Sequence, residues 1–113
     1  MTYKRGDIFL ANLDPTVGRE INKTRPIVVV SNDINNEHAG TVTVVPITSQ
    51  RLTKLYPFEV LITDSIEGLE KSSKAKADQI RTLDKSRLGR HLGKVDKDTL
   101  KRLNEAIRIH LAL

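Results

Sequence analysis

The chain has 113 residues, 19 basic and 14 acidic side chains, a net charge of +5 and no cysteine. One domain spanning residues 1–113 is expected, burying roughly 65–70% of the surface its unfolded chain exposes, enough for a core without cross-links. Disulfides and thiolate metal sites are excluded, His38, His91 and His110 lack the spacing of a zinc site, no apolar run approaches a membrane span, and no signal-peptide block opens the chain, so a cytoplasmic protein with no metal, cofactor or membrane partner is expected.

The charge is uneven. Residues 1–84 hold 11 basic and 11 acidic side chains, whereas residues 85–113 hold 8 and 3. A basic surface suits polyanionic partners, although a charge run by itself reads as a solvated helix face.

In chain order, residues 7–11 predict a first short strand. Asp14-Pro15 and Gly18 are turn signals, and 16–23 read as an exposed loop. Ile27-Val28-Val29-Val30 is a continuous β-branched run, expected of a strand buried on both faces. Pro26 holds the backbone of Arg25 extended. An always-charged guanidinium then stands on a rigid support at the mouth of the loop, an arrangement suited to phosphate. Residues 32–40 read as a polar connection. Residues 41–47 predict a strand, with Pro46 near its end, where a missing ladder donor is tolerated. A basic loop follows at 50–56. Phe58, Val60 and Ile62 alternate with Glu59 and Leu61 as in a half-buried strand, and 69–83 hold one or two more strands. Residues 86–92 read as a short helix ended by Gly93. Asp96 caps a longer helix, Val95 is placed to staple onto Leu100, and Leu100, Leu103, Ile107 and Leu111 share one face. Short strands followed by a helix predict an α+β protein, a small curled antiparallel β-barrel with a C-terminal amphipathic helix.

Three segments carry a resemblance. The first runs through Lys4-Arg5-Gly6-Asp7-Ile8-Phe9, Asp14-Pro15-Thr16-Val17-Gly18-Arg19-Glu20 and Lys23-Thr24-Arg25-Pro26-Ile27-Val28-Val29-Val30-Ser31-Asn32-Asp33. The second is Val44-Val45-Pro46-Ile47-Thr48-Ser49. The third is Lys76-Ala77-Asp78-Gln79-Ile80-Arg81-Thr82-Leu83-Asp84. In this order and spacing they resemble the MazF/PemK-type toxins of bacterial toxin–antitoxin pairs. The resemblance implies an SH3-like barrel with a C-terminal helix, a homodimer, and metal-independent, sequence-selective cutting of single-stranded RNA. It also implies a cognate antitoxin whose acidic, partly disordered tail covers the RNA groove.

Cutting RNA without a metal requires that the ribose 2′-OH attack the neighbouring phosphate, leaving a cyclic phosphate and a free 5′-OH. The protein must orient that hydroxyl, neutralise the phosphoryl oxygens and help move two protons. Arg25 matches the family's catalytic Arg, and its fork fits two phosphate oxygens. Thr48 by itself is an ordinary strand residue; the family match makes it the hydroxyl that meets the scissile phosphate or the attacking hydroxyl. Asp78 stands where some members use an acidic base, with an Arg two positions earlier as acid, where this chain has Lys76. Some members also carry a His where this chain has Arg19, so the proton carriers stay open. The loops 16–23 and 50–56 are expected to flank the groove. Arg19, Lys23, Arg51 and Lys54 would neutralise flanking phosphates, and Ser49 adds a donor. Glu20, Gln50 and Gln79 would pair with base edges, and Tyr56 is the candidate stacking platform.

Three other readings compete. A non-enzymatic toxin on the same fold could bind DNA gyrase, but it has no need of the Arg25–Thr48 pair. A peptide-binding SH3 groove would be lined with aromatics, in which this chain is poor. A structural RNA-binding protein would hold RNA without cutting it.

Overall fold

A computed structural model of the chain describes residues 1–63, 66, 69 and 72–113. Among them seven strands form one antiparallel sheet: β1 (Asp7–Asn12), β2 (Thr24–Val29), β3 (Thr41–Thr48), β4 (Glu59–Ile62), β5 (Ser73–Lys76), β6 (Arg81–Asp84) and β7 (Leu88–Lys94). The order is β4-β5-β3-β2-β1-β7, with β6 also paired to β3. A helix, α2 (Lys97–Leu111), follows the strands. The α+β class is as expected. The ladder from β4 to β7 does not close, so the expected barrel is open between those edges. Among the described residues no helix is long and apolar enough to cross a membrane.

Strand β3 organises the sheet. One edge pairs with β2 in the register Ile27–Pro46, Val28–Val45, Val29–Val44. The other edge pairs with β6 from Thr41 to Val44, then with β5 at Ile47 and Thr48. Val45 and Pro46 fall at the handover between the two partners. Thr43 turns its backbone toward β2, accepting the Val30 N–H at 2.9 Å and donating to Ser31 Oγ at 3.0 Å. By alternation the nitrogen of Pro46 faces the other edge, at the point where the ladder passes from β6 to β5. This is how an interior strand accommodates proline.

The alternation of β2 and β3 divides the core. Val28, Val30, Val45 and Ile47 join Ile8, Val60, Ile62 and Ala75 in the cluster closed by Leu103 and Ala106 of α2. Ile27, Val29, Val42 and Val44 join Phe9, Ala11, Leu13, Leu83 and Leu88 in a second cluster. The run 27–30 is therefore buried on both faces. Helix α2 begins as expected: the Asp96 side chain accepts the Thr99 N–H at 2.8 Å, and buried Val95 shares a cluster with Leu100. Its seated face centres on Thr99, Leu103 and Ala106, while Leu111 is 47% exposed.

Two sequence expectations fail. The stretch 32–40 is not a plain connection but holds a short helix, α1 (Asp33–His38), capped by Asn32, which accepts the Asn35 N–H at 2.8 Å. Asn36 is its only buried residue, so no apolar period announces it. Residues 86–92 are not a helix: a 3₁₀ turn at Lys85–Arg87 leads directly into β7. Leu88 and Leu92 stand four apart, a spacing that fits one turn of helix and one face of a strand alike. In β7 they serve different clusters, because the pairing with β1 shifts register between Ile8 and Phe9 and again between Phe9 and Ala11. Of the expected strand region 69–83, residues 70 and 71 lie outside the described residues; the rest forms β5, a 3₁₀ turn at Ala77–Gln79, and β6.

Leu103 is fully buried under the sheet. Leu103→Ala should cost about 2–5 kcal/mol in urea unfolding, whereas Leu111→Ala should stay within about 0.5 kcal/mol. Equal losses would mean that α2 is seated on a different face.

Candidate functional site

Strands β2 and β3 carry the two principal candidates to the same end of the sheet. The pairing ends at Ile27–Pro46, and Arg25 on β2 and Thr48 on β3 each stand two residues beyond it. On the other side of Thr48 lies Lys74 of β5. The loops 13–23 and 49–58 meet β5 and the 3₁₀ turn around a groove of about 410 Å³. Its wall contains Arg19, Thr48, Gln50, Arg51, Asp78 and Gln79 of the expected residues, together with Ile21, Lys74 and Lys76.

The other expected residues lie around it. Arg25 is half-buried at the strand end, and the groove wall is formed without it; its Nε donates to the Asn22 carbonyl at 3.1 Å. Lys23 belongs to the neck of its loop, with φ +66 and its N–H donated to Asp14 Oδ2 at 3.1 Å. The Glu20 carboxylate accepts the Val17 N–H at 2.6 Å and so closes the loop tip. Ser49 is exposed beside Thr48. Tyr56 lies outside the wall and stacks on Phe58 with centroids 5.3 Å apart and planes 3° from parallel. The Lys54 ammonium sits 5.1 Å from the Tyr56 ring centroid. Phe58, expected in the core, is half-buried at its margin.

The cations of the groove come from residues 1–84, whose charges balance, not from the basic tail. On α2, Arg102 pairs with Asp98 at 3.3 Å and Arg108 with Glu105 at 3.1 Å. Exposed pairs of this kind contribute little, so α2 carries a solvated charged face, whereas Lys85 of the same tail donates to the Asn36 carbonyl and Arg87 to the Asn12 and Asp14 carbonyls.

Three side chains give the groove its chemistry and shape. Thr48 Oγ1 accepts the Gln50 N–H at 3.2 Å, which leaves its own proton available to a ligand. Asp78 Oδ1 is enclosed and has no hydrogen-bond partner among the described residues. Gln79 is engaged with the first loop: Oε1 accepts the Ile21 N–H at 3.1 Å, and Nε2 donates to the Arg19 carbonyl at 3.3 Å. In this position its amide holds the loop backbone and is not presented to a base edge.

Lys74 and Lys76 of the wall join Glu59 behind it in an ion cluster that sequence reading missed. Glu59 and Lys74 pair at 3.1 Å with side chains 1% and 5% exposed, and Lys76 reaches the other Glu59 oxygen at 3.6 Å. The alternation in β4 assigns Glu59 to the polar face, yet it is buried. Burial pushes the Glu59 carboxyl up, but the Tyr56 N–H together with Lys74 and Lys76 outweighs this and holds it below its ordinary value of 4.5. A depressed folded-state pKa gives stability that is fully present above the unfolded-state value and is lost as pH falls through the folded one. Thermal midpoints measured from pH 7 down to 3 should therefore fall for the wild type below about pH 4.5, and more steeply than for Glu59→Gln. Parallel curves would contradict the assignment.

Comparison with known proteins agrees with this architecture. Residues 4–111 match the family described as PemK-like, MazF-like toxin of type II toxin-antitoxin system. The chain is 45% identical over 115 residues to Endoribonuclease MazF9 of Mycobacterium tuberculosis, covering 97% of each chain. The crystal structure of MazF (Form-I) from Deinococcus radiodurans superposes with a TM-score of 0.86 at 29% identity, covering 100% of this chain and 99% of that one. An endoribonuclease in complex with its cognate antitoxin, from a mycobacterial species, superposes at 0.81 with 30% identity, covering 97% and 95%. The chain belongs to the PemK-like, MazF-like toxins of type II toxin–antitoxin systems.

Proposed function

We propose that this toxin is a metal-independent endoribonuclease that cuts single-stranded RNA, including mRNA, and so arrests translation. The observation that carries the reading is a groove that brings the Thr48 hydroxyl together with the Asp78 carboxylate, Arg19, Arg51 and Lys76. The cations suit a phosphate, and the hydroxyl and carboxylate between them suit a ligand hydroxyl beside it. RNA supplies that hydroxyl next to every phosphate, and DNA does not.

In the reaction the 2′-oxygen forms a bond to phosphorus while the bond to the 5′-oxygen breaks. One proton leaves the 2′-OH and one, supplied by water, joins the 5′-oxygen. Asp78 accepts the first proton, and Thr48 donates a hydrogen bond to a phosphoryl oxygen. Arg25, at the neighbouring strand end, releases the Asn22 carbonyl and binds the phosphoryl oxygens in a fork. Arg19 and Arg51 hold flanking phosphates and Gln50 meets a base, while Ser49, Lys23, Lys54 and Tyr56 line the strand's path beyond the groove. The toxin acts in the cytoplasm as a homodimer. A cognate antitoxin with an acidic tail competes with RNA for the same cations. The gyrase-binding alternative is not favoured, since the relatives carry endoribonuclease names.

Purified protein mixed with a long RNA in EDTA should give discrete cuts ending in cyclic phosphate; intact RNA at high protein would end the proposal. Arg25→Ala and Asp78→Asn should each slow cutting by about 10²–10³ while remaining folded. Replacing the scissile 2′-OH with hydrogen should abolish cutting.

A further inference from the structure

Lys74 stands in the groove wall, yet its side chain is only 5% exposed. Its Nζ donates to the Arg51 carbonyl at 2.9 Å, the Lys54 carbonyl at 3.1 Å and Glu59 Oε1 at 3.1 Å. An ammonium has three donors, and these contacts use all of them. None remains for a phosphate, so whatever Lys74 does for a ligand passes through the groups it holds.

Those groups belong mainly to the loop 49–58. Two are its carbonyls. The third, Glu59 Oε1, also accepts the Tyr56 N–H at 3.0 Å. One buried ion pair thus ties the loop at residues 51, 54 and 56. Arg51 takes φ +53, a left-handed conformation that side chains rarely adopt. Such a residue stays in place only where its surroundings over-determine it, and its carbonyl is one of the two that Lys74 holds. A well-packed apolar pair of similar volume can replace a buried ion pair without loss of stability, but it could not orient two loop carbonyls.

We propose that Lys74 is a positioning residue for RNA binding: it fixes the backbone of the loop 49–58 so that Gln50 and Arg51 project into the groove. This rests on the reading of the groove as the RNA site.

The test is the double variant Lys74→Met/Glu59→Leu in the full chain, which removes both charges together and leaves neither buried alone. Amides 49–58 should exchange with deuterium at least about tenfold faster while β1 to β3 keep wild-type rates. With an RNA oligonucleotide carrying one cut site, KM should rise about tenfold and kcat should stay within about threefold. A merely structural role would reduce the amount of active enzyme, lowering apparent kcat and sparing KM. A folded double variant with wild-type KM, or with wild-type loop exchange, would overturn the proposal. The wild type provides a measurement that needs no variant: the Lys74 ammonium protons should exchange slowly enough to be seen by NMR, and rapid exchange typical of a solvated lysine would also overturn it. If the wild type cuts no RNA, the proposed function fails, and the exchange data alone still decide whether Lys74 holds the loop.

Discussion

The pairing of β2 with β3 in the register Ile27–Pro46, Val28–Val45, Val29–Val44 sets up the rest of the molecule. A slip of one residue would turn Val28 and Val45 out of the cluster beneath α2 and exchange the two halves of the core. The same register brings Arg25 and Thr48 to adjacent strand ends. Pro46 completes the constraint from within β3. Its missing N–H marks the place where the strand leaves β6 and takes up β5, and β5 brings Lys74, Lys76 and the turn with Asp78 under the two loops.

Much of this was legible in the amino-acid order. Continuous β-branched residues at 27–30 could be satisfied only by burial on both faces, and Asp96 with Val95 specified the start of α2 locally. The errors arose where a local pattern admits two structures. Leu88 and Leu92 suit a helical turn and a strand equally well, and the bulges that decide between them depend on β1, nearly eighty residues earlier. Helix α1 is held by contacts from elsewhere, including the Arg5 N–H on Asp33 at 2.7 Å. No periodicity inside six mostly polar residues could report that.

The site divides in the same way. Arg19, Thr48, Gln50, Arg51, Asp78 and Gln79 were singled out by residue type, loop position and family resemblance, and they line one groove. Glu59 escaped notice because the alternation of its strand set it on the polar face, and Lys74 because it lay in a segment read only as strand. Their partnership exists only across the β4–β5 pairing, fifteen residues apart in the chain. Gln79 was recognised as polar and close to the groove. Its use was not legible, because the groups that occupy its amide belong to a loop some sixty residues away.

In the proposed RNA groove, the groups that hold the loops differ from the groups that line it. Both of its loops are held by side chains from the same short stretch, Lys74 for 49–58 and Gln79 for 13–23. In each case the atoms held are backbone carbonyls or amides. Backbone groups are common to nearly all residues, so the side chains at 19, 50 and 51 can be exchanged without removing the contacts that shape the loops. The scaffold and the lining of the proposed RNA groove are therefore separable. A change at residue 50 or 51 alters what the groove meets, whereas a change at 74 or 79 alters where the loops stand.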